Sequence, residues 1–170
     1  MKNNITIIAL DCNLKNKICK KLSKKLGMFF ADINSLIKYD LINIKKVIKE
    51  AGLEYYNKIE TKTVKNVSSF ENALITLNLS TFFNNDNYKI LKEGSLLIYL
   101  RQNRKSFESS RKKDKTYGDL LEEKVFIERD EVLKSICDIV VECKDKDKNI
   151  EDKVIEKIKK YYEVVWKKLI

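Results

Sequence analysis

The sequence predicts an α/β fold with a parallel sheet held between two layers of helices. Three observations carry that prediction. Short apolar runs of strand length recur at Ile5–Leu10, Ala73–Leu77, Leu96–Leu100 and Asp138–Glu142. Between them lie longer segments whose apolar residues fall at helical spacing. The chain also opens with a strand, a polar turn and a helix, all within its first 26 residues. Apolar runs that alternate with helices imply strands buried on both faces, which is the signature of a parallel sheet.

The elements follow in order. Residues Asn4 to Leu10 form the first strand, with Thr6 its only polar interruption after Asn4. Asp11-Cys12-Asn13 reads as a polar turn. A helix then runs from about Leu14 to Leu26, with Leu14, Ile18, Leu22 and Leu26 along one side, and stops at Gly27. Met28 to Ala31 is a short strand ending at Asp32. Asp32-Ile33-Asn34-Ser35 offers helix caps, and Leu36, Ile37 and Leu41 continue an apolar face. A short helix around Ile44, Val47 and Ile48 closes near Gly52, and a longer one carries Tyr55, Tyr56, Ile59, Val64 and Val67. Asp86 to Leu91 is a short helix ended by Gly94. After the Leu96–Leu100 strand the chain turns strongly polar from Arg101 to Thr116. Helical spacing resumes at Leu120, Leu121, Val125 and Phe126. A last helix carries Val154, Ile155, Ile158, Tyr161, Tyr162, Val165 and Leu169.

Composition narrows the function classes. The chain has 170 residues, enough for one good core. No apolar run reaches the roughly 20 residues that a membrane helix needs. Met1-Lys2-Asn3-Asn4 leads straight into the first strand, which predicts no signal peptide and a cytoplasmic protein with reduced thiols. The sequence has four cysteines without CxxC spacing and no histidine. That inventory argues against zinc and removes the usual general base of acid–base and nucleophilic catalysis. The formal charge of +10 invites anions such as nucleotides, phosphorylated metabolites or nucleic acid. A chain rich in Lys, Asn and Ile, with four glycines and no proline, reflects a general compositional bias, which weakens any partner argument built on lysine count.

A strand–turn–helix start is where a phosphate-binding loop of pattern G-x-x-x-x-G-K-[ST] belongs, because the free N–H groups of the helix N-terminus face an anion there. Laid over that pattern, the chain reads Ala9, four residues, then Leu14-Lys15-Asn16. The lysine is present; both glycines and the hydroxyl are missing. Glycine lets such a loop adopt positive φ and curl its N–H groups around phosphate. Leu14 resists that geometry, and the Asp11 carboxylate would repel phosphate. Asn16 offers an amide oxygen where the pattern has a Mg²⁺-binding hydroxyl. On a helix so rich in lysine, Lys15 is expected to face solvent rather than an anion.

Several segments resemble the shikimate kinase family of P-loop kinases. Lys24 to Ile37, KKLGMFFADINSLI, resembles that family's KRLG-x-x-F-x-D-x-D-x-x-I. Gly52 to Glu60 is similar to G-E-x-x-F-R-x-x-E, and Ala73 to Thr81 to the strand before the family's triple-glycine turn. Gly94 to Leu100 resembles G-x-V-V-W-L, and Glu128 to Glu142 resembles E-R-x-P-L-Y-x-E-x-A-D-x-x-V-x-T. The resemblance implies one domain over residues 1–170: a five-stranded parallel sheet in a three-layer α/β/α P-loop kinase fold. It also implies a mobile lid after the fourth strand, at about residues 101–118.

The same resemblance assigns the site. Lys15 and Asn16 stand at nucleotide-binding positions, and Asn16 and Asp32 at the Mg²⁺. Asp32 matches the family's carboxylate near the metal, and otherwise reads as a helix cap. Asn34 replaces the aspartate that binds the shikimate hydroxyls and is thought to act as base; an amide cannot take a proton from a hydroxyl. Asn57 replaces the arginine that clamps the substrate carboxylate and lacks its charged fork. Asn78-Leu79-Ser80 replaces the triple glycine. Arg129 survives among the substrate-binding positions, either to hold an anion or to pair with Glu128 or Asp130. Arg111 lies near the place of the lid arginine that meets the transferring phosphoryl group.

Three functions stay open on the sequence. The first is a shikimate kinase-like protein impaired or inactive in catalysis, kept as a binding or regulatory module with an unknown protein partner. The second is a working ATP-dependent shikimate kinase with unusual loops. The third is a basic adaptor for nucleic acid, for which no reading motif is recognisable. The expected ligand is an anionic small molecule, a nucleotide or a shikimate-like acid, with no membrane contact. No cofactor is assigned; Mg-ATP is implied if the chain is active. Joint loss at both sites, in Leu14, Asn16, Asn34, Asn57 and the missing glycines, favours the first reading.

Overall fold

The computed structural model describes residues 2–102, 119–144, 147 and 149–167. The elements run β1 (Asn4–Ala9), α1 (Cys12–Leu26), β2 (Phe29–Asp32), α2 (Ile33–Leu41), α3 (Ile44–Ser68) and β3 (Ala73–Thr76). They continue with α4 (Leu79–Phe82), α5 (Asn85–Gly94), β4 (Ser95–Gln102), α6 (Asp119–Ile136), β5 (Ile139–Cys143) and α7 (Ile150–Lys167). The five strands form one sheet in the order β2-β3-β1-β4-β5, and every neighbouring pair is parallel. β1 is central, as its apolar run predicts, and pairs with β3 on one side and β4 on the other.

The sheet is buried on both faces because its strands carry apolar residues at alternating and at intervening positions. Ile7, Leu74 and Ile98 pack with Leu22 of α1 and Val154 of α7 on one face. Ile8, Ile75, Leu97 and Tyr99 pack with Ile37 of α2, Val64 of α3 and Leu133 of α6 on the other. Each fully buried leucine or isoleucine contributes about 1.5–3 kcal/mol relative to exposure. Leu97 and Ile98 are fully buried, as a core strand requires.

Two glycines set the chain path. Gly27 ends α1 at φ 62, and Gly52 breaks α3 at φ 85, so the short and long helices expected there meet at a kink. α1 starts two residues earlier than its apolar spacing suggests, and the expected Asp11–Asn13 turn is largely helix. Arg101 and Gln102 extend β4 rather than opening a lid. Residues 103–118, and with them Arg111 and the rest of the expected lid, lie outside the described residues. No described helix is long and apolar enough to cross a membrane.

Candidate functional site

In an open parallel sheet, ligands sit beyond the C-terminal ends of the strands. Lys15, Asp32, Asn34 and Asn78 gather at that edge, around the ends of β1, β2 and β3. Only Leu10 and Asp11 separate β1 from α1. The Lys15 N–H donates to the Asp11 carbonyl at 3.2 Å, so helical hydrogen bonding begins at Asp11. Aspartate is a favoured residue at such a helix start, and that signal lay in the sequence unread. Apart from glycines, positive φ occurs among the described residues only at Ile42 and Asn72. The backbone from Ala9 to Asn16 therefore lacks the left-handed turns of a phosphate cradle.

Lys15 does not face solvent. It is 2 % exposed, and its ammonium donates to the Leu77 carbonyl just past β3. The expectation of a solvated lysine fails because Lys15 lies three, four and seven residues before Ile18, Cys19 and Leu22, all buried. The abundance of lysine on this helix suggests an outward Lys15; counting the apolar stripe from Lys15 places it on the inner face. Burial pushes the Cys19 thiol up to about 12, opposed by the nearby Lys15 charge, so Cys19 is an inert core residue. Asn16 is exposed.

Asp32 caps α2 with both oxygens. Oδ1 accepts the Asn34 N–H at 3.2 Å and Oδ2 accepts the Ser35 hydroxyl at 2.8 Å. The Asn34 side chain reaches away from its own helix, and its Oδ1 accepts the Asn78 N–H at 2.8 Å. Asn78 is the N-cap residue of α4, with an extended backbone and no side-chain cap hydrogen bond. Within this one-turn helix the Phe82 N–H donates back to the Asn78 carbonyl at 3.0 Å.

Beside this edge a carboxylate is buried inside α3. Glu60 Oε1 accepts the Thr81 hydroxyl at 2.8 Å and the Tyr56 hydroxyl at 3.2 Å, and Asn87 Nδ2 donates to the Thr81 carbonyl at 3.0 Å. This network joins α3, α4 and α5. Asn57, one residue from Tyr56, makes no side-chain hydrogen bond with a described residue and is half-buried.

Arg129 is exposed on α6 and forms no ion pair with a described residue. Its neighbour Asp130 is buried and committed elsewhere. Arg101 Nε and Nη2 fork onto Asp130, Tyr99 donates its hydroxyl to the same carboxylate at 2.8 Å, and Arg101 Nη1 reaches Glu142 at 2.9 Å. Burial would raise the Asp130 pKa, but hydrogen bonds from Arg101 and Tyr99 hold it below the ordinary value. This cluster ties β4, β5 and α6 together. Sequence reasoning missed it, since partners 29 and 41 positions apart leave no local signature.

Comparison with known proteins fits this architecture. A shikimate kinase of Caldicellulosiruptor bescii is 29 % identical over 98 residues, 57 % of this chain and 57 % of that protein. One from Dehalococcoides mccartyi is 27 % identical over 109 residues, 64 % of this chain and 62 % of the other. Each match thus spans less than two thirds of the relative. Solved shikimate kinases from Aquifex aeolicus and Acinetobacter baumannii, the latter in complex with shikimate, share the fold at TM-scores of 0.73 and 0.70. They are 19 % and 16 % identical and cover 92 % and 99 % of this chain, and 96 % of each of those chains is matched. The family model of shikimate kinase matches residues 14–161, from the first turn of α1 to the last helix, and the chain belongs to the shikimate kinase family.

Proposed function

We propose that this chain is a catalytically impaired or inactive shikimate kinase homologue whose nucleotide and acceptor sites are filled by its own hydrogen bonds, and that it serves as a binding or regulatory module. One observation carries the reading: the lysine of the phosphate loop is buried on the Leu77 carbonyl behind a helix that has already started at Cys12.

The chemistry of the remaining groups agrees. A phosphate cradle needs backbone N–H groups turned outward, and the Lys15 N–H is held by Asp11. Mg-ATP would supply the phosphoryl group and the charge to stabilise its transfer, and the donor set does not fit it. Asp32 is oriented onto α2, with a hydrogen bond from that helix on each of its oxygens, and Asn16 has an amide in place of a hydroxyl. On the acceptor side, Asn34 is no base, and its oxygen already holds the Asn78 N–H. Asn57 carries no charge for a substrate carboxylate.

A working kinase is the competing reading. Family membership and the presence of Lys15 and Asp32 at one edge of the sheet favour it. It requires the first turn of α1 to unwind and Lys15 to leave Leu77. Thermal denaturation separates the two. A nucleotide at roughly 100 times its dissociation constant stabilises the native state by about 2.7 kcal/mol. The proposal expects no shift with Mg-ATP, Mg-ADP or shikimate, and a clear rise with Mg-ADP would overturn it.

A further inference from the structure

The α2–α3 corner presents apolar surface that the fold does not use. Ile33 and Ile37 turn into the core, and Tyr39 lies about 200° round the helix from Ile37, at 100° per residue. Tyr39 is 85 % exposed and Ile42 is 93 % exposed, with Leu36 partly exposed beside them. Ile42 also has an unfavourable backbone. It sits at φ 54 and ψ −52, and the Asn43 N–H donates across it to the Leu41 carbonyl. That is a γ-turn of the rare, strained hand, centred on a β-branched residue, for which positive φ is an outlier. Glycine would adopt it freely. An isoleucine that neither packs in the core nor suits its backbone stabilises nothing in the free protein.

The surroundings indicate the kind of partner. Exposed Lys38, Lys45, Lys46 and Lys49 flank the corner against exposed Asp40 and Glu50. Lys46 lies 3.9 Å from Glu50, while Lys38, Lys45 and Lys49 form no ion pair with a described residue. A second copy of a chain at +10 would meet this rim with like charge. We infer that the corner formed by Leu36, Tyr39 and Ile42 docks an acidic, apolar-tipped segment of another protein. The patch is small, so the contact is weak and depends on salt. The inference does not depend on whether the kinase site is closed.

The probe is a labelled synthetic amphipathic helix with Leu and Phe on one face and Glu along its flanks. Its control has the same apolar face and Lys flanks. Fluorescence anisotropy should show the Glu peptide binding the wild-type chain, more weakly as salt rises, and the Lys peptide not binding. Tyr39→Ser with Ile42→Gly should weaken the Glu peptide by roughly tenfold or more. Ile42→Gly alone should melt no lower than wild type, which separates lost docking from unfolding. Failure of the Glu peptide to bind, equal binding to the doubly substituted protein, or equal binding of the Lys peptide overturns the inference. Wild-type dimerisation in sedimentation, lost on the same two substitutions, assigns the corner to a second copy and also overturns it.

Discussion

The Lys15 ammonium donates to the backbone carbonyl of Leu77, 62 residues further along the chain, and so ties the start of α1 to the end of β3. In a phosphate-binding loop that amine is kept for an anion. Here it is a structural crosslink in the interior.

Lys15→Met should therefore read as a stability mutant. It keeps the stem and leaves the Leu77 carbonyl without this donor, at a cost of about 1–3 kcal/mol. Urea denaturation measures it. An unchanged midpoint would mean that the lysine is not part of the scaffold.

Asn34→Ala removes the acceptor of the Asn78 N–H at 2.8 Å. The expected loss is about 1 kcal/mol, similar to that of a helix cap. Amide exchange should accelerate first around Asn78 and α4. Protection there that does not change would show that the hydrogen bond contributes nothing.

Much of the fold was legible because its causes are local. The apolar runs marked the strands, Gly27 and Gly52 marked two helix breaks, and Asp32 announced the cap of α2. The position of Lys15 was legible in principle, since it shares a stripe with Cys19 and Leu22. Its lysine neighbours hid that stripe, because an inward lysine has no hydrophobic signal. Its partner was not legible at all: a backbone carbonyl has no side-chain identity. The Arg101–Asp130–Glu142 cluster was hidden for a different reason, since only the register of β4 against β5 and the docking of α6 bring those charges together.

That cluster makes a pH prediction. The Asp130 carboxyl titrates below its ordinary value of 3.8, burial opposing and the Arg101 and Tyr99 hydrogen bonds prevailing. Asp138 shifts the same way, through Lys92 and the Leu97 N–H against burial. A depressed carboxylate contributes its full stability above the unfolded value and loses it as pH falls through the folded one. Stability should thus hold down to about pH 4 and fall steeply below it. Asp130→Asn should flatten that acid limb and cost up to about 3 kcal/mol at neutral pH, the low end for breaking a buried pair, because Arg101 is partly exposed. An acid limb identical in the variant would remove the pair from the account.

Isothermal calorimetry with Mg-ADP tests the central claim most directly, on the native chain and on a repaired loop. The repair is Ala9→Gly, Asp11→Met, Cys12→Gly, Leu14→Gly and Asn16→Ser, with Lys15 kept. It shortens the start of α1, restores positive φ to the loop and removes the carboxylate. The account predicts binding to the repaired protein and none to the native one, with transfer to shikimate still absent until Asn34→Asp and Asn57→Arg are added. Mg-ADP binding of equal strength by the native chain would contradict it, because the native loop would then already hold phosphate.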